Sequence, residues 1–104
     1  MKIYCGGRGS GKTIKAIQLS VEKQMPIVCF GYNHIEYIKH IAKDMNLKIP
    51  EPVMFDDVRR RVIGRRRGLI VDDLDLILSR IFDDEVHYVT MEVCGIEKLE
   101  RSDT

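Results

Sequence analysis

The segment that decides the fold of this chain is Gly6-Gly7-Arg8-Gly9-Ser10-Gly11-Lys12-Thr13. Apolar residues 3–5 precede it as a short strand, and Ile14, Ile17 and Val21 follow it with the spacing of one helix face. The glycines let the backbone curl so that successive N–H groups point inward, and the helix N-terminus adds partial positive charge. The segment therefore predicts a strand–loop–helix unit whose loop binds an anion.

Two side chains at the end of this loop indicate which anion it binds. The loop has a glycine, then four residues, and then Gly11, Lys12 and Thr13. This order is found in loops that hold nucleotide phosphates. Lys12 would reach the β- and γ-phosphates, and the Thr13 hydroxyl would complete the ligand shell of a Mg²⁺ ion. A glycine-rich turn without a ligand would not need a lysine and a hydroxyl residue at the helix start. We therefore predict nucleotide binding by Gly6–Thr13, with the Arg8 side chain directed towards solvent.

Size and composition indicate one small globular domain. The chain has 104 residues, of which 44% are hydrophobic and 32% charged, a balance that excludes a disordered polypeptide. No apolar run approaches the roughly 20 residues that cross a bilayer. Residues 1–5 are too few before the glycines to form a signal peptide. We expect a cytoplasmic protein, of a compactness that would suit a viral, phage or mobile-element genome.

The cysteines and histidines do not group in the sequence. The three cysteines form no C-x-x-C pair and are interpreted as reduced thiols in the core or at strand ends; they are Cys5, Cys29 and Cys94. The three histidines are scattered; they are His34, His40 and His87. We therefore do not expect a metal site made of protein side chains alone.

Strands and helices are predicted to alternate along the chain. The predicted strands cover residues 2–5, 27–30, 53–55, 68–71 and 86–93. The predicted helices cover residues 12–24, a segment from an Asn33 cap with Glu36 in a capping box, residues 56–63, and a segment from 74. This order predicts an α/β three-layer sandwich with a mainly parallel four- or five-stranded sheet. Residues 1–95 would form the nucleotide-binding domain, and 96–104 a charged C-terminal tail that frays.

An aspartate follows the most apolar predicted strand. Leu69-Ile70-Val71 reads as a strand buried on both faces, and Asp72 stands at its carboxyl end. Because the carboxyl ends of parallel strands share one edge of the sheet, Asp72 can bind the Mg²⁺ opposite Thr13. The alternative role for Asp72 is an N-cap of the following helix, a position where aspartate is preferred. The position at the end of a buried strand favours the metal role.

The two motifs together resemble those of P-loop NTPases, with the first at Gly6–Thr13 and the second at Leu69–Asp73. The doublet Asp72-Asp73 followed by Leu74 resembles the second motif of ATPases with an additional catalytic acid, particularly bacterial helicase loaders and transposition ATPases. The resemblance implies a P-loop fold in which Lys12 stabilises the phosphates and Asp73 orients or deprotonates the attacking water. Glutamate is commoner at that position, and the shorter aspartate implies slow hydrolysis.

Two further assignments stay open, the role of Asp73 and the identity of a polar sensor. Asp73 could instead be a solvated acid that complements the helix dipole, an interpretation that fits Asp75 equally well. The same ATPase group carries a polar sensor at the end of a strand inserted between the two motif strands. The predicted strand Val86–Val93 is the candidate, with Thr90 or Glu92 as the sensor. Its alternating polar face fits an edge strand as well, so the sensor stays unassigned.

Six of the seventeen basic residues lie in one arginine run, although the net charge is only +1. The run consists of Arg59, Arg60, Arg61, Arg65, Arg66 and Arg67. It has three interpretations: a solvated basic face, a contact with the phosphate backbone of DNA or RNA, or an arginine finger donated to a neighbouring subunit. Arg80 competes for the finger role.

These observations leave three functional hypotheses. The first is a small ATPase that uses ATP and Mg²⁺ in a process involving nucleic acid, as a homo-oligomer or docked on a larger machine. The second is a switch module that binds a nucleotide without hydrolysing it. The third is a nucleoside or nucleotide kinase, for which the arginine run would have to serve as the lid. A GTPase is disfavoured, because no Asn-Lys-x-Asp sequence is present.

Overall fold

A computed structural model describes residues 1–59, 68–92 and 95–100 of the chain. These residues form five strands and three helices. In chain order they are β1 (Lys2–Cys5), α1 (Lys12–Lys23), β2 (Ile27–Cys29), α2 (Tyr32–Asp44), β3 (Val53–Met54), β4 (Ile70–Val71), α3 (Leu74–Phe82) and β5 (Gly95–Lys98). The predicted α/β class is confirmed. Within the described ranges, no helix is both long and apolar enough to cross a bilayer.

All strand pairings are parallel, and they divide the described strands between two sheets. One sheet has the order β3-β2-β4, with Val28 opposite both Val53 and Val71. The other joins β1 to β5, with Lys2 opposite Gly95. The sequence predicts one sheet of four or five strands, whereas the described residues show a three-stranded and a two-stranded sheet. The division falls between β1 and β4.

The core is built on both faces of β2, whose three residues are all buried. Ile27 and Cys29 pack on one face against residues of α1 and α2. Val28 packs on the other face with Val53 and with Ile77 of α3. Neighbouring side chains of a strand point to opposite faces, so a fully apolar strand requires helices on both sides. The parallel pairing of β2 with β4 places the carboxyl ends of the two strands side by side.

Helix α2 begins two residues earlier than the sequence predicts. The helix starts at Tyr32 after an extended Gly31, and Asn33 lies exposed in the first turn. The predicted Asn33–Glu36 capping box is therefore wrong. The buried ring of His34, and not the Asn33 side chain, accepts a backbone N–H just before the helix, that of Phe30.

Strand β4 is less buried than its apolar sequence predicts. Val71 is 45% exposed and Leu69 40% exposed. The prediction of a strand buried on both faces is wrong, because among the described strands β4 lies at the edge of its sheet and pairs only with β2. Helix α3 is present as predicted, although Ile77 is the only buried residue of its apolar stripe within the described chain.

The segment after α3 differs most from the sequence prediction. Residues 85–92 form no strand and are exposed, whereas Gly95–Lys98 form β5. The predicted strand over 86–93 is therefore wrong for its described residues, and the predicted fraying is wrong for Ile96–Lys98. Chain geometry gives the reason. If residues 86–92 formed a strand parallel to β5, the chain would have to return about 20 Å, the length of that strand, before β5 could begin beside it. The three Cα–Cα steps from residue 92 to Gly95 span at most about 11 Å.

One predicted helix falls mostly outside the described residues. Residues 55–59 form turns, so the predicted helix over 56–63 is wrong for its first four residues. Its remainder lies outside the described chain.

Candidate functional site

The glycine-rich segment forms the loop that joins β1 to α1. Gly9 and Gly11 have φ angles of 78° and 83°, in the left-handed region that favours glycine. Gly11 is the residue from which α1 starts, and its carbonyl accepts the Lys15 N–H at 2.9 Å. The local sequence thus produces the turn that aims the first N–H groups of α1 at the loop.

Close packing inside the loop involves Gly6 and Ser10. A Cβ on Gly6 would lie 2.5 Å from Ser10 Oγ and 2.9 Å from the carbonyl oxygen of Leu99. Ser10 is only 9% exposed, and its Oγ has no hydrogen-bond partner among the described residues. A buried hydroxyl without a partner is costly, so this loop contains a polar atom that a ligand could satisfy.

Lys12 folds back over the loop. Its Nζ donates hydrogen bonds to the carbonyl oxygens of Gly6 at 3.1 Å and Gly7 at 3.0 Å. The ammonium group therefore lies directly beside the loop backbone. This is where a negatively charged group held by the loop would meet it.

Thr13, the next residue of α1, reaches across the fold to Asp72. Its Oγ1 donates to Asp72 Oδ2 at 3.0 Å, over a separation of 59 residues. Helix α1 contacts β4, so the start of the helix lies at the carboxyl end of that strand. The structure thus brings together the two residues that the sequence analysis assigns to the metal. The side chain of Asp72 is used in this contact and in the one below.

A third residue, His34, joins this pair. Its Nε2 lies 3.0 Å from Asp72 Oδ2, and its Nδ1 accepts the backbone N–H of Phe30 at 3.2 Å. The side chains of His34 and Asp72 are 3% and 4% exposed. The three histidines are scattered in the sequence, and the prediction that they form no cluster is wrong for His34. The available signal was its position four residues after the end of the β2 apolar run, because β2 and β4 are parallel neighbours whose carboxyl ends share an edge.

Asp73 extends the cluster. Its φ and ψ are 58° and 59°, a left-handed conformation that aspartate tolerates better than most residues, and α3 starts after it. Burial raises the pKa of Asp73 and the charge of Asp72 raises it further, while the charge of Lys12 opposes the rise. Ligand atoms of His34, Asp72 and Asp73 all lie within 4.8 Å of one another.

Some of these residues line one cleft. A cavity of about 510 Å³ lies between β1 and β4, and Lys12, Asp72 and Asp73 contribute to its wall together with Lys2 and Lys15. Its volume is within the roughly 300–1,000 Å³ typical of small-molecule sites. Opposite charges from the loop and from the end of β4 therefore face a common space.

The other predicted site residues lie elsewhere or outside the described chain. Arg8 and Arg59 are exposed. The rest of the arginine run, residues 60–67, lies outside the described residues. The Arg80 guanidinium carbon is 5.7 Å from the centre of the Phe30 ring, which places it against its own chain. Thr90 and Glu92 are exposed outside any strand, so neither lies at the end of a strand as the sensor hypothesis requires.

Comparisons with protein-family models, with curated proteins and with solved structures find no match to this chain. What bears on function is therefore the geometry of the loop and of the cluster beside it.

Proposed function

We propose that this chain is a small P-loop ATPase that binds ATP with Mg²⁺ at the loop Gly6–Thr13 and hydrolyses it. The observation that carries the proposal is the hydrogen bond between Thr13 and Asp72 immediately beside Lys12. A cation-binding pair next to a lysine and an anion-binding loop matches the charge pattern of a magnesium-bound triphosphate.

The loop supplies the groups that a triphosphate requires. Backbone N–H groups, the Lys12 ammonium and the partnerless Ser10 hydroxyl would all donate to phosphate oxygens. The carbonyl oxygens that now accept from Lys12 are neutral, so a charged phosphate oxygen would compete for the ammonium group.

Thr13 and Asp72 would hold the Mg²⁺. Thr13 donates its hydroxyl proton to Asp72, so the lone pairs of Oγ1 remain for a cation. Both residues offer oxygen atoms, the ligands that Mg²⁺ prefers. The ion would neutralise charge on the β- and γ-phosphates.

Asp73 would position the attacking water. It lies beside Asp72 on the same cleft, and its raised pKa increases the basicity of its carboxylate. Its side chain is one methylene shorter than the glutamate commoner at this position, for which reason we expect slow turnover.

The proposal includes the three-layer P-loop fold with a single sheet. Helices on both faces of β2 support the layered arrangement. It also includes nucleic acid as the partner and assembly as an oligomer or on a larger machine. The support for nucleic acid is the arginine run Arg59–Arg67 in the sequence, six cations within nine residues.

A second candidate is a switch that binds the nucleotide without hydrolysis. The position of Arg80 favours it, since the guanidinium lies over Phe30 of its own chain and does not project as a finger would. The two candidates differ in phosphate release.

ATP affinity and phosphate release, each with and without single- and double-stranded DNA, test the proposal. The Lys12→Ala variant should lose at least about 100-fold in ATP affinity while its unfolding curve stays close to wild type. The matched control is Lys23→Ala, which removes the same charge at the opposite end of α1 and should bind ATP normally. Equal ATP affinity in the Lys12→Ala variant and the wild type would refute the site. Tight binding without phosphate release would establish the switch.

A further inference from the structure

The buried ring of His34 connects Asp72 to the protein backbone. Nδ1 accepts the Phe30 N–H at 3.2 Å, and Nε2 lies 3.0 Å from Asp72 Oδ2. The rings of His34 and Phe30 also stack, with centres 4.2 Å apart and planes inclined by 25°. Two hydrogen bonds and a stacking contact therefore hold the imidazole in one orientation.

The backbone contact determines the tautomer. A peptide N–H can only donate, so the Nδ1 atom that accepts it carries no proton. The single proton of the neutral ring is then on Nε2, and His34 donates to the Asp72 carboxylate. Oriented in this way, His34 is a neutral donor to a buried anion.

The same tautomer argues against a metal on His34, although the grouping with Asp72 and Asp73 has the residue types of a metal site. A metal bound at Nε2 would require its proton to leave or move to Nδ1. A proton on Nδ1 would face the Phe30 N–H, which places two donors against each other in a buried position.

The contacts of Asp72 fix the orientation of its carboxylate. Thr13 and His34 both donate to Oδ2, and two hydrogen bonds occupy the lone pairs of that oxygen. A cation would therefore meet this carboxylate through Oδ1. Without the donor from His34, the carboxylate could turn about its terminal torsion and present either oxygen.

We infer that His34 is a positioning residue: it donates from Nε2 to Asp72, fixes which carboxylate oxygen meets the Mg²⁺, and does not ligate the metal itself. This inference rests on the proposed function, because the cation is the one that would accompany the nucleotide. A histidine that follows β2 thus orients a carboxylate that follows β4.

Two substitutions separate the two contacts of the ring. In His34→Gln the amide nitrogen reaches about as far as Nε2, so the donor to Asp72 is kept and the contact with Phe30 is lost. In His34→Asn the side-chain amide reaches only as far as Nδ1. Its oxygen can therefore still accept the Phe30 N–H, but no donor reaches Asp72. A purely structural role for His34 would make the two variants differ only in stability, which chemical denaturation measures.

The first measurement is the dependence of ATP affinity on Mg²⁺, expressed as the ratio of the dissociation constants in EDTA and in Mg²⁺. His34→Asn should lower this ratio by about 10-fold or more, as for other residues that orient metal ligands. His34→Gln should keep the ratio within about 3-fold of wild type. Affinity in EDTA should be unchanged in both. A wild-type ratio in folded His34→Asn protein would overturn the inference.

The second measurement is the ¹⁵N spectrum of the His34 ring without nucleotide. We expect a protonated Nε2 and an unprotonated Nδ1, and we expect the Nε2 proton to persist when Zn²⁺ is added. Protonation at Nδ1, or loss of the Nε2 proton on Zn²⁺ addition, would overturn the inference. If the wild-type protein binds no ATP, the proposed function fails by itself, whereas this spectrum still tests whether His34 donates from Nε2 to Asp72 and stays free of metal.

Discussion

Thr13 and Asp72 share a hydrogen bond of 3.0 Å although 59 residues separate them. Thr13 is the second residue of α1 and Asp72 follows β4, so the bond joins the start of the first helix to the end of a strand in the three-stranded sheet. The Nε2 atom of His34 lies 3.0 Å from the same oxygen. Three segments of the chain therefore meet at one carboxylate beside the glycine-rich loop.

Replacing Thr13 tests this meeting point. Thr13→Val keeps the shape of the side chain and removes the donor, which should destabilise the fold by about 0.5–1.5 kcal/mol. It should also abolish the gain in ATP affinity on adding Mg²⁺ and leave binding in EDTA unchanged. The control Thr13→Ser keeps a hydroxyl and should retain that gain. Calorimetric titration with and without Mg²⁺ measures both effects, and a full magnesium effect in Thr13→Val would remove Thr13 from the site.

We expect Asp73 to lower the stability of the folded protein at neutral pH while it supports ATP hydrolysis. Because burial and Asp72 raise its pKa, the folded state holds a proton that the unfolded state releases between pH 3.8 and the raised value. The stabilisation is present at low pH and is lost as the pH rises through the raised pKa. Asp73→Asn, which tolerates the same left-handed backbone, should therefore have a higher Tm than wild type at pH 7 and no advantage below pH 3.8.

The same substitution should lower phosphate release. Asparagine cannot accept a proton from water, so the variant should bind ATP and turn it over more slowly, by about 100-fold. Melting curves across pH and steady-state phosphate release provide the two readouts. Unchanged turnover in Asp73→Asn would return this residue to the role of a solvated acid at the start of α3.

Gly6 and Gly7 form a matched pair for the packing of the loop. A methyl group on Gly6 would lie 2.9 Å from a backbone oxygen and 2.8 Å from Ser10 Cβ, whereas one on Gly7 meets nothing within 4 Å. We expect Gly6→Ala to cost about 1–3 kcal/mol of unfolding free energy, and Gly7→Ala to be neutral or stabilising by up to about 1 kcal/mol. Urea denaturation of the two variants measures the difference. Equal stabilities would show that the loop around Gly6 is looser than described.

The described cysteines should differ in reactivity. Cys5 is exposed, whereas Cys29 is fully buried, and burial together with the charge of Asp72 raises the pKa of its thiol to about 12. At pH 8 a thiol reagent should modify Cys5 within minutes and spare Cys29 in the folded protein. Peptide mass spectrometry reads each site separately, and labelling in denaturant is the control. Rapid modification of native Cys29 would contradict the packing between β2 and the helices.

The sequence alone predicted the elements whose causes are local. The glycines before Lys12 encode the turn through their left-handed conformations, and the apolar spacing after it encodes α1. The positions of β2, α3 and β4 follow from short apolar runs and helical periodicity in the same way. The proximity of Thr13 and Asp72 was predicted from a single parallel sheet; in the structure β1 and β4 lie in different sheets, and the contact of α1 with β4 brings the two residues together.

Only the tertiary structure decided how distant segments pair. The alternation in residues 86–92 has the period of a strand, yet the strand forms at Gly95–Lys98, and the chain between the two segments is too short for both to be parallel strands of one sheet. His34 reaches Asp72 because β2 and β4 are neighbours, a relationship that no pattern within α2 contains. Hydrophobic period and backbone preference are properties of neighbouring residues, whereas strand partners and buried polar contacts depend on which elements the folded chain brings together.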